Sequence, residues 1–150
     1  MTGSWQHLAD LGGDPAVGGL AATADALDAD PALAAWFGAR TAELATAELW
    51  DAAVLVQGWI GEPGFAAVRA WLVARGEETF DAVRKDPDNL ADVYRWRAEL
   101  DDPALVRLRA FASPAAAADL PGEWTNISDD RAVKARFPRL QGLVDARRCR

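Results

Sequence analysis

Apolar residues recur along this 150-residue chain at helical spacing, as in Leu33, Phe37 and Leu44 with Trp36 beside them, and no stretch alternates apolar and polar residues in the manner of a half-buried strand. Proline directly follows a good helix-capping residue at Asp14-Pro15, Asp30-Pro31, Asp86-Pro87, Asp102-Pro103 and Ser113-Pro114. Each pair reads as a helix start. The side-chain oxygen accepts a bond from an orphan amide of the first turn, and proline's fixed φ suits the first helical position, where its missing N–H costs nothing. The pattern predicts a first helix over residues 15–28, weakened by Gly18 and Gly19, then a long helical stretch over 31–57 with a break at Thr46. LWDAAVLVQG, residues 49–58, is apolar nearly all round and marks the central buried helix. Gly58 and Gly61 end it ahead of Pro63, and helices over 63–75, 77–85, 91–100 and 103–112 follow, with Gly76 dividing the first two. A weak helix at 114–119, a loop at 120–128 (LPGEWTNIS) and short helices at 129–136 and 139–148 complete the chain. The expected fold is all-α, a single compact bundle of about seven helices around an antiparallel hairpin at 48–75.

Charge divides the chain more sharply than composition does. Residues 131–150 hold seven Lys or Arg against one acid, leaving nine basic and twenty-two acidic residues before them, so a basic tail follows an acidic body within a net charge of -7. The expected organisation is a helical domain over 1–130 and a basic C-terminal tail over 131–150, packed on that domain or extending from it. An acidic body repels phosphate backbones, which argues against nucleic-acid binding except through the tail. Arg131, Lys134, Arg136 and Arg139 are expected to lie against the acidic body, the alternative being a docking arm for an acidic partner. Half the residues are apolar, enough for one core. A single cysteine, Cys149, permits no internal disulfide and fits a reducing compartment. The N-terminus lacks a basic, apolar leader pattern, and no segment approaches the roughly 20 apolar residues of a membrane span. Cytoplasmic location without membrane contact is the expectation.

The residues that could carry chemistry cluster in the predicted hairpin. Arg69 falls about 40° from Phe65 and about 60° from Leu72 on a helical wheel, at the edge of an apolar stripe where a guanidinium needs a partner. Glu48 or Asp51 on the preceding helix is expected to supply a carboxylate to it. The functional alternative has Arg69 facing a cleft as anchor for a carboxylate or phosphate, with Glu48 or Asp51 as proton acceptor and Trp50, Trp59 and Trp71 as pocket walls. Tyr94, Arg95, Trp96 and Arg97 read as surface cation–π packing rather than a base-stacking platform. His7 and Cys149 stand at opposite ends without ligand spacing, so no metal is expected, and no nucleophile or phosphate-loop motif calls for a cofactor.

Residues 49–92 resemble a bacterial family catalogued as domain of unknown function 4240. The resemblance rests on Leu49, Trp50, Gly58, Phe65, Arg69, Trp71, Leu72, Gly76 and Phe80, followed by Asp86, Pro87, Asp88, Leu90 and Ala91, with Trp5 corresponding to an opening tryptophan. It implies a small helical protein and no established activity. Such proteins carry acids in the turn before the phenylalanine, where this chain has Glu62 followed by Pro63, and the chain beyond Val93 looks unlike the family. The alanine-rich, lysine-poor composition suggests a bacterial source. The functional expectation is a non-catalytic adaptor or regulator binding another protein. The alternative is a small-molecule binder or compact enzyme taking a small anionic molecule, with Glu62 joining Arg69 and the three tryptophans.

Overall fold

The computed structural model describes residues 2–12, 19–93 and 99–149. Within them the chain is all-α, in the order α1 Thr2–Gly12, α2 Gly19–Ala29, α3 Pro31–Glu43, α4 Ala47–Gln57, α5 Glu62–Ala74, α6 Glu77–Lys85, α7 Leu90–Val93, α8 Pro103–Arg109, α9 Asp130–Arg136 and α10 Pro138–Arg148. Short 3₁₀ turns occupy Pro87–Asn89 and Ala117–Asp119. No strand occurs among the described residues.

Capping explains most of the boundaries. Asp30 accepts from the amides of Ala32 and Leu33 to start α3, Asp102 accepts from Ala104 to start α8, and Asp86 accepts from Asp88 to start the 3₁₀ turn. The break near Thr46 is real, because the Thr46 hydroxyl caps α4 through the Leu49 amide. Gly58 and Gly76, both at positive φ, follow α4 and α5. Three expectations are corrected. Thr2–Gly12 is a helix although the sequence pattern placed none before residue 15. Its short stripe buries Leu8 and sets Trp5 edge-on to Trp36 at 4.8 Å, and tertiary packing stabilises a segment too short to announce itself. Ser113-Pro114 starts no helix, since the Ser113 hydroxyl is taken by Arg69. The helix expected at 103–112 ends at Arg109, and turns continue to Ala112. The proposed cap at Asp14-Pro15 and the Tyr94–Arg97 cluster lie outside the described residues.

One hydrophobic cluster runs through the molecule. Helix α5 packs against α8 and α3 and also touches α2, α4 and α6, so Phe65, Val68, Leu72 and Val73 are fully buried. The C-terminal helices join the same core through Val133, Phe137 and Leu140, with α10 lying on α4, α7 and the Pro87–Asn89 turn. No described helix is long and apolar enough to cross a membrane.

Trp71, 2% exposed, donates its indole N–H to Glu99 at 2.9 Å, and the same carboxylate takes Arg75. Replacing Trp71 with Ala removes a buried aromatic and leaves Glu99 with one partner fewer. The expected loss is at least about 3 kcal/mol in urea denaturation, whereas a change below about 1 kcal/mol would mean that the ring contributes little to the core.

Candidate functional site

The two helices that carry the predicted site residues do meet, but not in the predicted way. Arg69 is 1% exposed and faces no carboxylate among the described residues. Its Nη1 donates to the Thr41 carbonyl and the Ser113 hydroxyl, each at 3.1 Å, and its Nη2 donates to the Ser113 carbonyl at 2.8 Å. The guanidinium carbon also lies 4.9 Å from the centre of the Phe65 ring. Burial alone lowers this guanidinium to about 10, still high enough to stay charged at neutral pH. Its stabilisation comes from dipoles: Thr41 lies in the last turn of α3, where carbonyls carry the negative end of the helix dipole, and the ring face adds a cation–π contact. The network closes on itself, since the Ser113 amide donates to the Thr41 hydroxyl at 2.9 Å and that hydroxyl donates to the Gly38 carbonyl at 2.7 Å.

Glu48 and Asp51 are employed elsewhere, which is why the expected ion pair with Arg69 does not form. Glu48 accepts from the Glu123 amide and from Arg136, both at 2.9 Å. Asp51, 4% exposed, accepts from the Thr125 amide at 2.7 Å, and the Ala47 amide donates to the Pro121 carbonyl. Together these bonds strap residues 121–125 across the first half of α4. Gly122 sits at φ 101 with the Glu48 carboxylate where a side chain would begin, so a larger residue would be strained there and would displace that carboxylate. Trp124, half exposed, meets the buried Trp50 edge-on at 6.3 Å. Burial pushes the Asp51 carboxyl above the ordinary carboxylate value and Glu48 adds to this, against the opposing effects of the Thr125 amide and Arg136.

The remaining predicted site residues lie in different surroundings. Trp50 packs on Phe65 at 4.8 Å inside the core, and Trp71 points to Glu99. Trp59 is 89% exposed on the turn between α4 and α5, and Glu62 is exposed at the start of α5. No group of three or more His, Cys, Asp or Glu gathers as a metal site among the described residues.

A residue given no role by the sequence reading joins the two parts of the chain. Asp88, 3% exposed, accepts from the amides of Arg139 at 3.1 Å and Leu140 at 2.9 Å, the first turn of α10. Helix α10 has Phe137 at its own capping position and no capping side chain, so a carboxylate from another segment does that work. Arg139 reinforces the joint through Asn89 at 2.8 Å and through Asp92. The Asp86-Pro87-Asp88 sequence was the available signal, but only packing reveals the helix that Asp88 serves.

A family model described as "Protein of unknown function (DUF4240)" matches residues 26–117, well over half of the chain. The chain belongs to this family. The match reaches beyond residues 49–92 in both directions, which corrects the reading that the part after Val93 lies apart from DUF4240. Arg69, Thr41 and Ser113 all fall inside the matched region, while the strap at 121–125, α9 and α10 fall after it. No curated protein and no solved structure matches the chain.

Two predictions concern this DUF4240 core. Arg69→Lys keeps the charge but cannot span Thr41 and Ser113 with a planar fork, and is expected to lower stability by about 2 to 4 kcal/mol in chemical denaturation. A loss within about 0.5 kcal/mol would show that charge alone suffices. For Asp51, a folded-state pKa raised above the unfolded value makes its contribution most favourable at low pH and progressively lost as pH rises through the folded value. Asp51→Asn therefore gains stability relative to the parent as pH rises from the ordinary carboxylate range towards neutrality; denaturation midpoints at stepped pH check the sign, and the opposite slope would refute it.

Proposed function

We propose that this DUF4240 protein is a non-catalytic bacterial adaptor or regulator that works in the cytoplasm by binding another protein. The observation that carries the reading is Trp59, 89% exposed on the α4–α5 turn. The turn is firmly held: the Gly58 amide donates to Val54 at 2.7 Å, the Phe65 amide donates to Gly61 at 2.9 Å, and Ile60 packs against the core beside it. Arg147 donates to the Val56 carbonyl at 2.9 Å and fixes the end of α10 next to the turn. An indole buries about 150–250 Å² when covered, and tryptophan on a preorganised support is the residue type most enriched among the few that dominate protein interfaces.

The competing small-molecule reading draws less support. The donors of Arg69 are directed at Thr41 and Ser113, and the carboxylates of Glu48 and Asp51 hold backbone amides of the strap. Groups already engaged in this way are poorly placed to receive an anion or a proton from substrate.

Trp59→Ala tests the proposal. Folding stability is expected to change by no more than about 0.5 kcal/mol, because the ring is in water. Capture of the native partner from host cells, measured quantitatively beside the parent protein, is expected to weaken by roughly thirtyfold. Equal capture by parent and variant would overturn the assignment.

A further inference from the structure

We propose that the cleft between α9 and α10 is a binding site for a small zwitterion of the α-amino acid class. The proposal goes beyond the partner reading above and does not use Trp59.

Of the four basic residues expected to lie against the acidic body, the structure pairs two with it: Arg136 reaches Glu48 at 2.9 Å, and Arg139 meets Asp92. Arg131 and Lys134 instead line a cleft of about 480 Å³ together with Asp130, Ala135, Gln141 and Asp145. Neither of these two cations has an ion-pair partner among the described residues.

The cleft has two unlike walls. Lys134 and Ala135 follow Arg131 by three and four positions on α9, so they share a face of that helix, and Gln141 and Asp145, four apart, share a face of α10. The Asp130–Arg148 pair at 3.3 Å ties the start of α9 to the end of α10, so the helices run antiparallel and the basic wall stands opposite Asp145. Asp145 is held in place. Gln141, 5% exposed, donates its side-chain amide to one Asp145 oxygen at 2.8 Å. The second Asp145 oxygen and the Gln141 side-chain carbonyl receive no donor among the described residues, which leaves two acceptors on adjoining groups for an ammonium.

Opposite charges that face each other across a cleft without closing into an ion pair leave room for a molecule that carries both. A carboxylate suits the planar fork of Arg131 and the point charge of Lys134. A plain anion would satisfy that wall alone and meet Asp130 and Asp145 with like charge, and a plain cation would meet Arg131 and Lys134 in the same way. A free α-amino acid answers both walls at once, and the volume lies in the range of small-ligand sites, roughly 300–1,000 Å³. Ala135 is the apolar contribution to the described lining, so the site reads the charged backbone of the ligand and discriminates little among side chains.

The test titrates the full chain with L-alanine and follows the Gln141 side-chain amide by nitrogen–proton NMR. A saturable shift of that signal is expected. L-Alaninamide, which lacks the carboxylate, and N-acetyl-L-alanine, which lacks the ammonium, should each bind at least about tenfold more weakly. Asp145→Asn should weaken L-alanine roughly tenfold without weakening N-acetyl-L-alanine, because the acetylated ligand has no ammonium to lose. Absence of a saturable shift would overturn the proposal, as would capped ligands that bind as well as L-alanine, or an equal loss for all three ligands in Asp145→Asn. Inorganic phosphate binding at the same signal as tightly as L-alanine would overturn it too, by showing a plain anion site.

Discussion

A buried guanidinium held by backbone carbonyls and a hydroxyl keeps three segments of this molecule in register. Arg69 projects from α5, the most heavily surrounded helix, and reaches the last turn of α3 and the chain just after α8. Desolvating a cation is costly, and here the compensation is spread over two carbonyls, one hydroxyl and an aromatic face. Such an arrangement is sensitive to geometry, because dipoles stabilise a charge only when they point at it. The orientation of α3 against α5 and the path of the chain into Ser113 are therefore tied to a single side chain. Ser113 loses its role as a helix cap for the same reason: its hydroxyl and carbonyl have a stronger claimant.

The two carboxylates one turn apart on α4 show how a pair that resembles catalytic machinery becomes structural. Glu48 and Asp51 have the spacing to act on one substrate, yet each receives a backbone amide from residues 121–125. With Asp88, they form a series of acids on the family-matched body that accepts N–H groups from the C-terminal part of the chain. The acidity of the body and the basicity of the tail are thus two halves of one contact. Individual exposed ion pairs such as Arg139 with Asp92 add little, and most of the joint's strength resides in the Asp88 cap and in the burial of Val133, Phe137 and Leu140.

The candidate site was legible in part. The sequence located Arg69 at the edge of an apolar stripe and demanded a partner for it, and a partner set exists. Its chemistry was misjudged because backbone carbonyls leave no trace in a residue list, whereas nearby acids do. Trp50, Trp59 and Trp71 look equivalent in the sequence but end in three situations: against Phe65, in water, and hydrogen-bonded to Glu99. Trp59 leaves the core because Gly58 ends α4 before the turn, so the indole extends past the helix rather than along its inner face. Asp88 stood in the motif that carried the family resemblance, yet its partner lies some fifty positions away.

Local chemistry determined the elements. Aspartate or threonine ahead of a helix, proline in its first turn and glycine after it act within a few residues, so the starts at Pro31, Ala47 and Pro103 and the stops after Gln57 and Ala74 follow from the sequence alone. The all-helical class follows from the same period of apolar residues. Tertiary structure decided which charges meet. It selected dipoles rather than a carboxylate for Arg69, gave Glu48 and Asp51 to a strap, supplied α10 with a cap from another segment, and stabilised α1, whose own propensity is too weak to declare it. The reason is one of range: a cap or a turn involves neighbours along the chain, but the partner of a buried charge is whatever packing brings within about 3 Å, and sequence distance places no limit on that.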